Sequence, residues 1–229
     1  MFAHIRRRKL LLGALAGAIF AALGVTLASS RAAAGGNPDL LVSAKTGARL
    51  EAHVSYQASV FPLPLHVTPP DGSWGGTQWK TSSHGKPAFG AAIFVQPPLA
   101  NPRGDVVIET AFGQTRSVAA TIARLRTGGS GTTYQKPAPV RLAGHSGLAF
   151  DGHVWGKWGH VFVPFSAKTH GASPPDALYL KKGEVFRLVA IDAHGKTVVL
   201  LFENWKLPAE QFPAFRTSAD RLLGPLKLA

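Results

Sequence analysis

The chain has 229 residues, with 25 Lys and Arg against 12 Asp and Glu, and no cysteine. The missing cysteine excludes disulfides, thiolate metal sites, cysteine nucleophiles and an acylated lipoprotein terminus. Five basic residues (Arg6, Arg7, Arg8, Lys9, Arg31) precede Gly35 and no acid does, which leaves 20 against 12, or +8, for the rest; that charge serves solubility or attracts anionic surfaces.

The first element is an export segment. Arg6 to Lys9 are basic, and Leu10 to Ala28 is a run of 19 residues without charge, as in a signal peptide. Ala32 and Ala34 frame an Ala-x-Ala cleavage site with the cut before Gly35. The run is close to the roughly 20 residues that span a bilayer, so an uncleaved N-terminal anchor is the alternative. Arg7-Arg8-Lys9-Leu10-Leu11 fits a loose twin-arginine pattern, and Sec and twin-arginine export both stay open. Residues 1–34 are thus signal peptide or anchor, 35–49 a linker of small and polar residues, and 50–229 a single domain. About 195 residues suffice for one domain burying roughly 70% of its unfolded-chain surface.

From Leu50 the pattern is mainly of period two. Strands are predicted over Leu50 to Phe61, Leu65 to Thr68, Thr77 to Ser82, Ala91 to Gln96 and Val106 to Phe112, separated by the turn clusters "PPDGSWGG" and "PPLANPRG". A helix follows, with Val118, Ile122 and Leu125 at helical spacing, Ser117 as N-cap and Gly128 as stop. Strands resume at Val140 to Leu142, Ser146 to Trp155, Trp158 to Phe165, Val185 to Asp192 and Lys196 to Trp205, the last two joined by "AHG". A final helix covers about Ala209 to Leu223. Two helices interrupting an antiparallel set of strands predict an α+β fold, a sheet packed by a central and a C-terminal helix.

The order of elements, and the ending "GKTVVLLFENWKLPAEQFPAFRTSADRLLGPLKL", resembles the PsbP-like fold over about Leu50 to Leu228. Members of that fold include accessory subunits of photosynthetic oxygen evolution, a nuclear GTPase-binding protein and exported actinobacterial lipoproteins, so the resemblance implies binding or assembly. This chain lacks the lipobox cysteine. "PPDGSWGGTQWKTSSHGKPAFG" with "GHVFVPFS" is also similar to exported bacterial proteins of unassigned function. Neither resemblance carries functional residues over.

Chemistry concentrates in "DGHVWGKWGHVFVPF", residues 151 to 165. A two-residue Gly156-Lys157 turn sets Trp155 opposite Trp158 and His153 opposite His160 on one face, with Asp151 beside them. Val154, Val161, Val163 and Phe165 then face the core. Opposed side chains stand about 4.5–5.5 Å apart at Cβ, near enough for His153, His160 and Asp151 to share zinc or copper. Alternatively, Trp155 and Trp158 pack together under a helix, or they form a platform for a sugar or aromatic ligand. Trp74 and Trp79, with Lys80, His84 and Lys86, make either a rim for an acidic or saccharide ligand or part of the core.

Weaker motifs add little. "AGHSGLAF" lacks the second glycine of the lipase elbow, so Ser146 reads as a strand start. Glu109 and Glu203 would make a hydrolytic carboxylate pair only if their strands met. "TGGSGTT" lacks the Lys-Ser or Lys-Thr of a phosphate loop. No catalytic residue is identified and no cofactor is implied outside the zinc or copper alternative. Export, scattered basic residues and the lack of a nucleic-acid motif argue against nucleic acid. The expected role is an exported binding or assembly module of the cell envelope, whose partner is an anionic lipid, a wall polymer or an envelope protein. A metal-dependent hydrolase or redox protein using His153 and His160 is the alternative. Oligomeric state is not legible.

Overall fold

The fold is that of a computed structural model, which describes residues 38–40, 48–83, 86–98, 102–127, 131–157, 159–165 and 177–228. The segment 1–34, expected to serve export, and His84, Gly128 and Trp158 lie outside the described residues.

Fourteen strands and two α-helices are assigned among these residues. In chain order they are β1 (Ala48–Arg49), β2 (Tyr56–Gln57), β3 (Leu65–Val67), β4 (Gly75–Ser83), β5 (Lys86–Gln96), β6 (Gly104–Ala111) and α1 (Val118–Leu125). Next come β7 (Thr132–Tyr134), β8 (Ala138–Leu142), β9 (His145–Val154), β10 (His160–Phe162), β11 (Leu178–Leu180), β12 (Val185–Ala193) and β13 (Lys196–Glu203). A 3-10 turn at Ala209–Gln211 leads into α2 (Phe212–Leu223), and β14 (Lys227–Leu228) ends the fold. The expected α+β class holds: the described residues form a mostly antiparallel sheet with two helices. Neither helix is long and apolar enough to cross a membrane.

Nine strands form the main sheet in the order β1-β4-β5-β6-β13-β12-β9-β7, with β8 also on β9. Its centre explains the unbroken apolar run "TVVLLF". Successive residues of β13 alternate between two cores: Val198, Leu200 and Phe202 face one, while Val199 and Leu201 face the other. A strand covered on both faces needs no polar positions. On the first face lie α2, through Phe212, Phe215, Ala219 and Leu222, and the small sheet β14-β3-β2. On the second lie α1, through Ile122 and Leu125, and the β10-β11 ribbon, through Phe162, Leu178 and Leu180.

Local signals account for most boundaries. Ser117 caps α1, its Oγ accepting from the Ala120 amide at 3.3 Å. His194 and Gly195 both take positive φ, 53° and 77°, as a two-residue turn between Ala193 and Lys196 requires. Ala143 and Gly144 do the same between β8 and β9, at 52° and 80°, so β9 starts at His145 with Ser146 as its second residue.

Two expectations near the N-terminus change. Leu50 to Phe61 is not one strand, because its amides find scattered partners: His53 donates to the Pro69 carbonyl and Ala58 to that of Leu65 at the start of β3, leaving only Tyr56–Gln57 in a ladder. The predicted linker is partly built into the domain. Ala48–Arg49 pairs with Gly75–Gly76, Leu40 is buried, and Asp39 accepts from the Ser59 amide at 3.1 Å and from Gln78 Nε2 at 2.9 Å.

Candidate binding groove and buried carboxylates

The hairpin expected at residues 151 to 165 does not form. Both edges of β9 are already occupied where His153 lies, with Val185 of β12 on one side and Thr133 of β7 on the other. With no free edge on β9, the chain turns away at Gly156–Gly159, and β10 pairs instead with β11, His160 opposite Leu180. His153 is exposed and His160 is buried, the latter at 7% exposure with Nε2 3.4 Å from the Tyr134 hydroxyl. His153 and His160 are therefore not cross-strand neighbours. No group of three His, Asp or Glu able to hold a metal occurs among the described residues, so the proposed zinc or copper set is not assembled. Of the residues expected in the core, Val154 and Val163 are buried and Phe165 half-buried, but Val161 points outward and Phe162 takes its place.

Gly159 makes this departure possible. Its φ is +71°, and a methyl group there would stand 2.3 Å from the Leu180 carbonyl oxygen. Gly159→Ala is expected to cost about 2 kcal/mol or more from the left-handed conformation and the backbone clash together, read as a lowered urea midpoint; an unchanged midpoint would mean the turn has another conformation.

Trp74 and Trp79 do not share a face of the sheet. Trp74 is fully buried in the first core, 6.2 Å from the Phe215 ring, whereas Trp79 is half-buried against the second. Five positions apart around one strand, they face opposite sides of the sheet. Trp155 is exposed. Trp205 lies between two cations, 5.8 Å from the Arg103 guanidinium and 3.8 Å from Lys181 Nζ.

Asp151 does sit in a site, though a different one. Odd-numbered residues of β9 face α2, which brings Asp151 opposite Arg187 of β12. Arg187 Nη1 donates to Asp151 Oδ1 at 3.0 Å and to Oδ2 at 3.2 Å, and Arg216 Nη1 of α2 is 3.7 Å from Oδ2. Two cavities meet at Arg216. One, of about 450 Å³, has Val189, Phe202 and Leu223 in its apolar wall and Arg141 at its side. The other, of about 410 Å³, runs past Asp151 and His153 to Phe212. The result is a groove beneath α2 with an apolar floor and guanidinium groups converging midway. All three members of the ion cluster are partly exposed, so the pairs hold the fold only weakly, by about 0.2–1 kcal/mol each, and both guanidiniums stay accessible to a ligand.

A second cluster lies on the opposite face. The strands of Glu109 and Glu203 do meet, but in a register that sets Val199 against Glu109 and Asp105 against Glu203. The two glutamates are thus four residues apart along the ladder, about 13 Å, beyond the separation of a hydrolytic pair. Asp105, absent from the sequence reading, is the direct neighbour of Glu203, and Glu184 lies near both. Asp105 accepts from Arg103 Nε at 2.6 Å and Nη2 at 3.1 Å; even so, its burial outweighs the guanidinium and raises its pKa. Glu184 is raised by burial too, although the Lys181 amide donates to its Oε2 at 2.6 Å. Glu203 is pushed well above the usual glutamate value, first by burial and then by the charges of Asp105 and Glu184. Its Oε2 has no hydrogen-bond partner among the described residues.

No family model matches the chain, and no curated protein or solved structure was found to be similar to it.

Proposed function

We propose that the chain is an exported binding module of the cell envelope, and that it takes an anionic ligand with an apolar portion into the groove beneath α2. The observation that supports this is the convergence of Arg187 and Arg216 on the single carboxylate of Asp151 above an apolar floor. Asp151 holds the guanidiniums in place, and an incoming anionic group shares them. Guanidiniums fixed in this way bind carboxylate or phosphate with little further ordering, while Phe202, Val189 and Leu223 accept the apolar part. The proposal keeps the PsbP-like fold as its structural premise, since a binding or assembly role is what that resemblance implies. It assigns no catalytic residue and no metal, because His153 and His160 lie on different sheets.

The test is calorimetric titration with a short-chain phosphatidylglycerol below its micelle concentration, using phosphatidylcholine of the same chains as control. Binding is expected for the first alone, and Arg216→Ala is expected to weaken it about tenfold, the loss of one charge-assisted hydrogen bond. Equal heats for both lipids, or an unaffected Arg216→Ala protein, would remove the groove as the site.

A further inference from the structure

Two tight turns at one end of the main sheet bring a pair of histidines together. β9 and β12 run side by side as far as Gly147 and Ile191. Just beyond that pair, His145 opens β9 directly after the Ala143-Gly144 turn, held opposite Leu142 of β8. His194 takes the first position of the turn between Ala193 and Lys196, at φ +53°. Their rings meet edge to face, with centres 5.2 Å apart and planes at 75°. Neither is sealed in: His194 is exposed and His145 half-buried. Neither lines the groove beneath α2.

A backbone contact settles which nitrogen of His194 is free. Its Nε2 lies 3.0 Å from the Leu228 carbonyl oxygen. A carbonyl only accepts, so Nε2 carries the hydrogen and, in the neutral ring, Nδ1 holds the lone pair. A histidine whose second nitrogen donates to a backbone carbonyl is oriented, and made more basic, as a metal ligand. The charged neighbours leave room for an ion. Asp192 Oδ1 accepts from the Gly195 amide at 2.8 Å, and Lys196 Nζ donates to the carbonyls of Phe112 and Gly113 at 3.1 and 3.0 Å. Lys227 is exposed, on the face of β14 opposite the buried Leu228.

We propose that His145 and His194 bind a divalent ion of the copper or zinc type, and that the bound ion fastens the C-terminal strand to the main sheet. Zinc stands about 2.0–2.1 Å from a histidine nitrogen, and the ring centre lies about 1.1 Å behind that nitrogen, so two imidazoles on a tetrahedral ion have centres about 5.1 Å apart. The two rings already stand at that separation. Rotation of the His145 ring about Cβ–Cγ, a broad torsion, then turns a nitrogen toward the ion. Imidazole selects copper or zinc over magnesium and calcium, which prefer oxygen. No third His, Asp or Glu completes a set among the described residues, so water fills the remaining positions and a chelator can remove the ion. The fastening runs through His194, whose ring is tied to Leu228, and Leu228 pairs with Leu65 of β3. An ion on Nδ1 fixes that ring and with it the hold on β14.

The experiment titrates the full chain, freed of metal with EDTA and dialysed, with Zn2+, Cu2+ or Mg2+ in a calorimeter. Zn2+ and Cu2+ should bind, Cu2+ the more tightly, and Mg2+ should not. Two variants each remove one ligand and keep the local structure. His145→Phe retains a ring for the edge-to-face contact, and His194→Asn retains a residue that tolerates positive φ. Each should weaken Zn2+ binding by more than the roughly 10–100-fold that loss of an outer partner costs. His53→Asn, at another exposed histidine of positive φ, should bind like the wild type. With saturating Zn2+, hydrogen exchange at the amides of residues 227 and 228 should slow in the wild type and in neither ligand variant. A wild-type protein that takes up no Zn2+, equal heats with Mg2+, or uptake that survives both single variants would overturn the site. Zn2+ bound with unchanged exchange at β14 would overturn the fastening.

Discussion

Glu203→Gln is expected to raise the thermal midpoint of the protein in mildly alkaline solution and to leave it nearly unchanged in acid. The reason lies in the three carboxylates Asp105, Glu184 and Glu203, faced by Arg103 and Lys181. The two cations offset the cluster only in part, and all three carboxyl groups stand above their ordinary values. A carboxyl group whose folded pKa exceeds its unfolded one binds its proton more tightly in the folded state. Its contribution to stability is complete below the unfolded value, 4.5 for glutamate, and is lost as pH rises through the folded value. The wild-type protein should therefore become steadily less stable above the ordinary glutamate range. Each unit of separation between folded and unfolded values corresponds to about 1.4 kcal/mol, and each kcal/mol to roughly 2–4 °C for a domain of this size. Glutamine keeps the shape of the side chain and offers an amide donor to Asp105, so the slope with pH should flatten. Thermal melts of both proteins across the pH range decide it: parallel curves would mean that Glu203 is ionised or solvated in the folded state.

Phe215→Ala should be the most destabilising single truncation on the α2 side, by about 3–5 kcal/mol, a fall in the thermal midpoint of roughly 6–20 °C. Its ring lies so close over Gly104 that a methyl group there would stand 2.1 Å from Cδ2. It also touches Trp74 and Phe212, with ring centroids 6.2 Å apart in both cases. Truncation leaves a cavity that β6 and β13 are too rigidly paired to close. Because Trp74 is fully buried against this ring, its emission should shift to the red in the variant before global unfolding. A small change in midpoint with no spectral shift would show that α2 settles into the gap.

How far each feature was legible in the sequence depended on how local its cause was. Ser117 and the positive-φ turn at His194 and Gly195 act over three or four residues, and the elements they bound were predicted nearly where they occur. The partners of β9 at His153, Thr133 of β7 and Val185 of β12, lie 20 and 32 residues away. The near-symmetric spacing of Trp155 and Trp158, and of His153 and His160, about Gly-Lys fits a hairpin, but the spacing cannot show that β7 and β12 already occupy both edges. The same limit hid the candidate groove. Asp151 was singled out, yet its partners Arg187 and Arg216 come from later elements whose register against β9 no periodicity encodes. Asp105 escaped for a related reason: Glu203 was noticed, but its neighbour is set by pairing between strands more than 90 positions apart.

That pairing also governs when the protein can fold. β13, residues 196–203, is the strand that joins β6 to β12, so the sheet made by the first half of the chain and that made by the second are separate until almost the last residues exist. Closing so long a loop before any reward from contact makes folding slow. A nascent chain stopped before residue 196 holds two half-sheets with open inner edges. It is therefore the arrival of β13 that joins the two half-sheets and commits the chain to the native state.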